Sequence, residues 1–276
     1  MESAAASEQR AVFFVSDGTG ITAETLGNTL LTQFEGVAFR KTTLPFITTP
    51  ERARAAVDYI NHVASAASRR PIVFSTTVND EVRAILRGVQ GLFLDLFDTY
   101  IAPIEHELGQ KSTHAAGRAH GLADPVRYHA RIAAMNYAME HDDGASTKDL
   151  TRADVILIAP SRCGKTPTTL YLALQHGVFA TNFPLTEDDL EAQRLPRALA
   201  GLESKLFGLI SEPERLAQVR GERRPGSRYA SLAQCAFELR QAEALYRRHR
   251  IPFVNSAHMS IEEIAAVVMQ EKNLQR

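Results

Sequence analysis

The stretch best suited to phosphate chemistry is Gly164-Lys165-Thr166, reached through Ala159-Pro160-Ser161-Arg162-Cys163. It follows the apolar run Val155–Ile158 and precedes a helix-like segment, Pro167–His176. A loop so placed points backbone N–H groups and the positive end of a helix dipole at an anion. Lys165 supplies a cation for terminal phosphates, and the Thr166 hydroxyl is a hard oxygen ligand suited to Mg²⁺. Gly164 allows the close backbone approach that a side chain would block. The usual pattern opens with Gly five positions before its second Gly; here that position is Ala159, and the following Pro160 has no N–H to donate. The cradle is expected to hold fewer phosphate oxygens than a full one.

Further groups invite a chemical reading beside a plain one. Ser16-Asp17-Gly18-Thr19-Gly20 also joins a buried-looking strand to a helix, with Thr19, Thr22 and Thr25 adding hydroxyls but no Lys. Two anion loops in one chain suit a donor and an acceptor; a tight turn capped by Asp17 is the alternative. His141-Asp142-Asp143-Gly144 offers carboxylates for Mg²⁺ or a hydroxyl proton, against a solvated helix-terminating turn. Leu92–Asp98 looks like an apolar strand ending in Asp, but Asp95 and Asp98 are read as sharing one helix face. His114 and His120 fit no zinc spacing. Arg220, Arg223, Arg224 and Arg228 either grip a phosphate or acidic partner, or lie on a solvated turn. A helix N-terminus would lower the Cys163 pKa and sensitise it to oxidation, unless Cys163 is a small filler.

These groups need a scaffold of alternating strands and helices. Strand-like runs fall at Ala11–Ser16, Val37–Ile47, Pro71–Val78, Val155–Ala159, Ala180–Phe183, Leu206–Ile210 and Pro252–Asn255. Helical segments are expected near Ile21–Phe34, from Pro50 to Ser68, over much of Glu81–Leu108 with Asp80 as cap, near Val126–Glu140, and over Tyr229–His249. Lys111–Pro125 reads as a loop, and no internal repeat is visible. The expectation is an α/β fold with largely parallel sheets flanked by helices. Its parts are a disordered lead-in (1–10), an N-terminal α/β domain (11–148) and a C-terminal domain with the phosphate loop (149–276).

Lys+Arg 31 against Asp+Glu 32 gives a net charge of −1, so no basic field recruits nucleic acid or membrane. No apolar run approaches transmembrane length. Two cysteines fit a reducing, cytoplasmic compartment, and homo-oligomerisation stays open.

Taken together, the stretches SDGTGITAET (16–25), TLPF (43–46), AHGL (119–122), HDDG (141–144), SRCGKTPTTLYLA (161–173), PERL (213–216), SRYAS (227–231) and SIEEIA (260–265) resemble one family. It is that of the bacterial phosphoenolpyruvate synthase regulatory proteins, related to the pyruvate, phosphate dikinase regulatory proteins. The family loop normally reads Gly-Val-Ser-Arg, so Ala159-Pro160 depart from it. The resemblance implies a cytoplasmic bifunctional enzyme. It would move the β-phosphate of ADP to a threonine of phosphoenolpyruvate synthase, releasing AMP. In reverse, inorganic phosphate would attack the phosphothreonine and give pyrophosphate. Carried over, the ADP site is Ala159 through Thr166. We expect Lys165 and Arg162 on the β-phosphate, Mg²⁺ at Thr166 with Asp143, and Asp17 or Asp142 accepting the threonine proton. An ATP-dependent small-molecule kinase and a non-catalytic ADP-sensing regulator are the rival readings.

Overall fold

The computed structural model describes residues 9–114 and 125–274. The expectations for the lead-in at 1–8, for His120, for AHGL and for most of the Lys111–Pro125 loop lie outside these residues. The chain divides into two compact units between residues 123 and 124.

The first unit runs β1 (Arg10–Val15), α1 (Ile21–Leu31), β2 (Phe39–Leu44), α2 (Pro50–Ala66), β3 (Ile72–Ser75), α3 (Asp80–Leu86), β4 (Leu92–Asp95) and α4 (Leu96–Leu108). Its sheet has the order β2-β1-β3-β4, all parallel. β1 is apolar from Ala11 to Val15 because both of its faces are covered. Ala11, Phe13 and Val15 meet Ala53 and Ile60 of α2 and Val82 and Leu86 of α3. Val12 and Phe14 meet Ala23 and Leu31 of α1 on the other face.

One expected helix divides in two. Glu81–Leu108 is interrupted by β4, which pairs with β3 in the register Phe74↔Leu94. Phe93 packs into one core and Leu94 into the other, so the period of this segment is two. Gly91 lets the chain enter β4 close against Pro71, where an added Cβ would stand 2.8 Å from the carbonyl oxygen that accepts the Leu92 N–H. Asp95 and Asp98 therefore do not share a helix face. Asp95 caps α4 by accepting the Asp98 N–H at 3.0 Å. Asn79, rather than Asp80, caps α3 through the Val82 N–H.

The second unit runs α5 (Pro125–Glu140), β5 (Val155–Ala159), α6 (Lys165–His176), β6 (Ala180–Pro184), α7 (Glu187–Glu191), β7 (Leu206–Ile210), α8 (Pro213–Arg223), α9 (Leu232–His249), β8 (Phe253–Asn255) and α10 (Ile261–Glu271). Its parallel sheet has the order β6-β5-β7-β8. Val155, Leu157 and Ala159 share a core with Leu172, Leu216 and Val268. Ile156 and Ile158 face Leu245 and Tyr246. The Tyr246 hydroxyl donates to the Ile158 carbonyl at 2.8 Å, so the buried phenol is paired.

The two sheets thus repeat one topology that no sequence repeat announces. In each, the first strand lies between the second and third, and its carboxyl end opens at the topological switch point where open α/β sheets bind ligands. In each, five residues separate that strand from its helix, ending in a glycine of positive φ: Gly20 at 86° and Gly164 at 89°. Among the described residues no helix is long and apolar enough to cross a membrane.

Candidate active site

The loop after β5 is shaped by two left-handed residues. Gly164 (φ 89°, ψ 9°) turns the chain into α6, a conformation that strains any residue with a Cβ. Arg162 adopts φ 71° without being glycine. Such backbone costs about 1–3 kcal/mol and persists where the surroundings impose it. Its exposed guanidinium makes no hydrogen bond or ion pair among the described residues. Lys165 opens α6 and is buried, at 5% exposure. Its Nζ lies 3.4 Å from the Pro160 carbonyl and 3.5 Å from the Asp143 carboxylate. Burial pulls the ammonium pKa below its ordinary value, and Asp143 pushes partly back.

The carboxylates come from the turn after α5. His141 is buried, with Nδ1 and Nε2 lying 2.8 and 2.7 Å from the Tyr137 and Lys148 carbonyls, so it anchors the turn. Gly144 admits the Phe183 ring, which an added Cβ would meet at 2.8 Å. The Asp142 carboxylate accepts from the Thr166 hydroxyl at 2.8 Å and from the Asn182 amide at 2.7 Å. The Asn182 carbonyl in turn accepts the Asp143 N–H at 3.1 Å. Asn182 therefore sets both aspartates. The sequence reading passed over it because a lone Asn in a strand carries no motif.

A second group missed as a unit holds the loop from behind. Arg220 is fully buried. It donates to the Ser161 carbonyl at 3.1 and 3.3 Å, the Tyr229 carbonyl at 3.1 Å and the Glu238 carboxylate at 2.6 Å, and it stacks 4.3 Å from the Tyr229 ring. The Ser161 and Tyr229 hydroxyls are 2.9 Å apart. Arg220 is thus committed to the loop backbone and does not grip a free phosphate. Arg228 pairs with Glu187. Arg223 lines the loop cavity.

Cys163 is buried inward, and burial pushes its thiol up to about 12. Desolvation outweighs the nearby Lys165 and Arg220 charges that favour the thiolate, so of the two readings Cys163 is the small buried filler.

The resulting cavity, about 250 Å³, is lined by Asp143, Ser161, Arg162, Lys165, Thr166 and Arg223. Hydroxyl and carboxylate oxygens at Thr166, Asp142 and Asp143 are the hard donors Mg²⁺ prefers. Among the described residues no group of three or more His, Cys, Asp and Glu could hold a metal unaided. Mg²⁺ ordinarily needs only one or two carboxylates beside substrate phosphates and water.

Asp17 belongs to the first unit, whereas Lys165, Arg162, Asp142 and Asp143 share the second. Its carboxylate accepts the Val78 N–H at 2.8 Å, tying the β1 loop to the segment after β3. Asp95 lies 3.8 Å from Arg83 and 3.7 Å from Arg87. His114 lies beside Arg83, Asp80 and the Val78 carbonyl.

Residues 12–269 match the kinase/pyrophosphorylase family. The chain belongs to that family. A relative from Stutzerimonas stutzeri is 52% identical over 97% of this chain and 98% of its own length. Relatives from Pseudomonas aeruginosa and Hahella chejuensis are each 50% identical over the same shares. All three carry the name "Putative phosphoenolpyruvate synthase regulatory protein". A LacI transcriptional regulator from Lactobacillus brevis aligns at 9% identity and a TM-score of 0.19, covering 89% of this chain and 98% of its own, which carries no argument. Family membership accords with a loop that gathers a buried lysine, a threonine and two aspartates at a strand end.

Proposed function

We propose that this chain regulates phosphoenolpyruvate synthase by moving phosphate on and off a threonine of that enzyme, with ADP as donor and inorganic phosphate as remover. The target follows from the names of the relatives. The observation that carries the chemistry is Lys165, buried at the first turn of α6 with Asp143 at 3.5 Å and the Thr166–Asp142 pair beside it. A lysine is kept desolvated at a cost, and an anion in the cavity repays that cost.

In the forward direction the threonine oxygen attacks the β-phosphorus of ADP. The bond to the α–β bridging oxygen breaks, AMP leaves, and the threonine proton passes to a carboxylate. In reverse, an oxygen of inorganic phosphate attacks the phosphothreonine phosphorus. The bond to the threonine oxygen breaks, pyrophosphate leaves, and the threonine oxygen regains a proton. Lys165, Arg162 and the loop N–H groups stabilise the charge on the transferring phosphoryl group. Thr166 and Asp142 would hold Mg²⁺, which neutralises phosphate charge when bound. Asp142 already accepts two hydrogen bonds, whereas Asp143 opens onto the cavity. We therefore assign the proton to Asp143, ahead of Asp142 and Asp17.

The test incubates the protein with phosphoenolpyruvate synthase carrying its phosphohistidine, with ADP labelled at the β-phosphate or ATP at the γ-phosphate. Label from ADP on a synthase threonine, released as pyrophosphate on adding phosphate, is the expected result. Transfer from ATP alone would overturn the donor assignment. Bound ADP without transfer would make the chain a sensor.

A further inference from the structure

A second cavity, about 190 Å³, adjoins the first and shares Arg162, Gly164 and Val219 with it. Its remaining walls follow the carboxyl ends of β7 and β8. Ser211 comes after β7, and Ser256, Ala257 and Met259 come after β8. Leu216, Ile261 and Ile264 complete an apolar side. The two cavities differ in chemistry. The first holds Lys165, Asp143 and Arg223. The second has no carboxylate among its lining residues, and its charges are Arg162 and Arg215 alone.

That division suits a molecule with a flat body bearing both apolar surface and polar groups and, at its other end, a charged phosphate tail. We infer that the second cavity takes the nucleoside of the diphosphate donor, an inference that rests on the ADP reading above. The two cavities together reach the lower end of the size of small-molecule sites, roughly 300–1,000 Å³. Ile261 stands 37% exposed at the start of α10, an apolar surface for a base to cover. The Ser256 hydroxyl shares its one proton between the Ile210 carbonyl at 2.9 Å and the Cys163 carbonyl at 3.2 Å, which leaves its lone pairs to accept from an amino or hydroxyl group. Ser211 makes no side-chain hydrogen bond among the described residues and can donate or accept. Arg162, held in its left-handed conformation between the cavities, stands where base-bearing and phosphate-bearing ends would join.

The reaction contains its own control. The forward direction uses a nucleoside diphosphate, and the reverse uses inorganic phosphate, which has no nucleoside. Ala257→Phe and Ser211→Phe each fill the second cavity. Both are expected to raise KM for ADP by about tenfold or more while KM and kcat with inorganic phosphate stay within about twofold. Retained reverse turnover shows that the variant is folded. Met259→Ala enlarges the cavity and is expected to accept an N6-benzyl ADP analogue, relative to ADP, about tenfold better than the parent does. The inference is overturned if ADP KM stays within about twofold in both filled variants and Met259→Ala shows no such preference. It is also overturned if ADP and phosphate suffer equally in both folded variants, or if only KM for the synthase rises, which would give the cavity to the protein substrate. If wild-type protein binds ADP without transferring phosphate, the donor reading alone fails, and ADP affinity replaces KM in the same comparison. Failure of wild-type protein to bind ADP overturns both.

Discussion

Replacing Arg220 separates what holds the protein together from what positions its loop. The guanidinium is wholly buried and binds Glu238, the Ser161 carbonyl and the Tyr229 carbonyl, with the Tyr229 ring against its face. Burial works against its charge, but the hydrogen bond and charge of Glu238 hold it protonated. Arg220→Met leaves Glu238 buried without its cation, a loss of about 3–5 kcal/mol. For a unit of this size each kcal/mol moves Tm by roughly 2–4 °C, so Tm falls by about 6–20 °C. Adding Glu238→Leu removes the stranded charge, and apolar replacement of a buried pair is commonly neutral or stabilising by about 1–4 kcal/mol. Tm then returns to within a few degrees. The loop carbonyl at Ser161 still lacks its donors, and a displacement near 1 Å costs about 10²-fold in rate. The assay pairs thermal melts with kcat/KM for ADP on both variants and on Glu238→Leu alone. A double variant with restored Tm and wild-type kcat/KM would refute the positioning role and leave only a stability role.

Four further outcomes follow from the site. Lys165→Met removes a buried ammonium whose partner Asp143 is exposed, so Tm rises while turnover falls by about 10²–10³-fold; unchanged turnover would remove Lys165 from the donor site. The same lysine has a lowered folded-state pKa, so the unfolded chain holds the proton longer as pH rises. Stability therefore climbs with pH through the window below 10.5, and that increment disappears in Lys165→Met; identical slopes in pH-dependent denaturation would contradict it. Asn182→Leu frees both aspartates and is expected to lower kcat/KM by about 10–100-fold, with Mg²⁺ dependence shifted to higher concentration in a metal titration. Asp143→Asn is expected to cost at least about 10²-fold in kcat, more than Asp17→Asn; the reverse order would move the base to Asp17.

What the sequence disclosed depended on how local the determinant was. The strands and the Gly164-Lys165-Thr166 turn were legible because buried parallel strands are continuous apolar runs and the turn needs small residues at fixed spacing. β4 was hidden because LFLD is short and runs directly into α4, and its assignment depends on pairing with β3. Arg220, Glu238 and Asn182 were not legible as a support system. Arg220 reaches Glu238 and Ser161 across 18 and 59 residues, and Asn182 reaches Asp142 across 40, so the contacts that decide their roles leave no spacing to read. His141 and Cys163 bear out the plain alternative offered for each. Each has a residue type that does chemistry, and each is buried among groups that give it a structural task instead.

The duplicated topology sharpens the case for the proposed phosphate chemistry at the second loop. Counting from the glycine, Ile21 stands where Lys165 stands, Thr22 where Thr166 stands and Thr25 where Thr169 stands. Both loops therefore present a helix N-terminus and hydroxyls at a switch point. They differ in charge. α6 has no acidic residue in its first turn, and Lys165 lies beneath its loop. α1 carries Glu24 in its first turn, which already satisfies the helix dipole and accepts from Thr43, and its loop adds Asp17. An anion brought to the first loop would meet two carboxylates and no lysine from loop or first turn, whereas one brought to the second meets Lys165 and the exposed Arg162. The same backbone device serves as a tie in one unit, through Asp17 and Val78, and as a charged cradle in the other. Fold alone does not assign the chemistry; the side chains at one turn of one helix do.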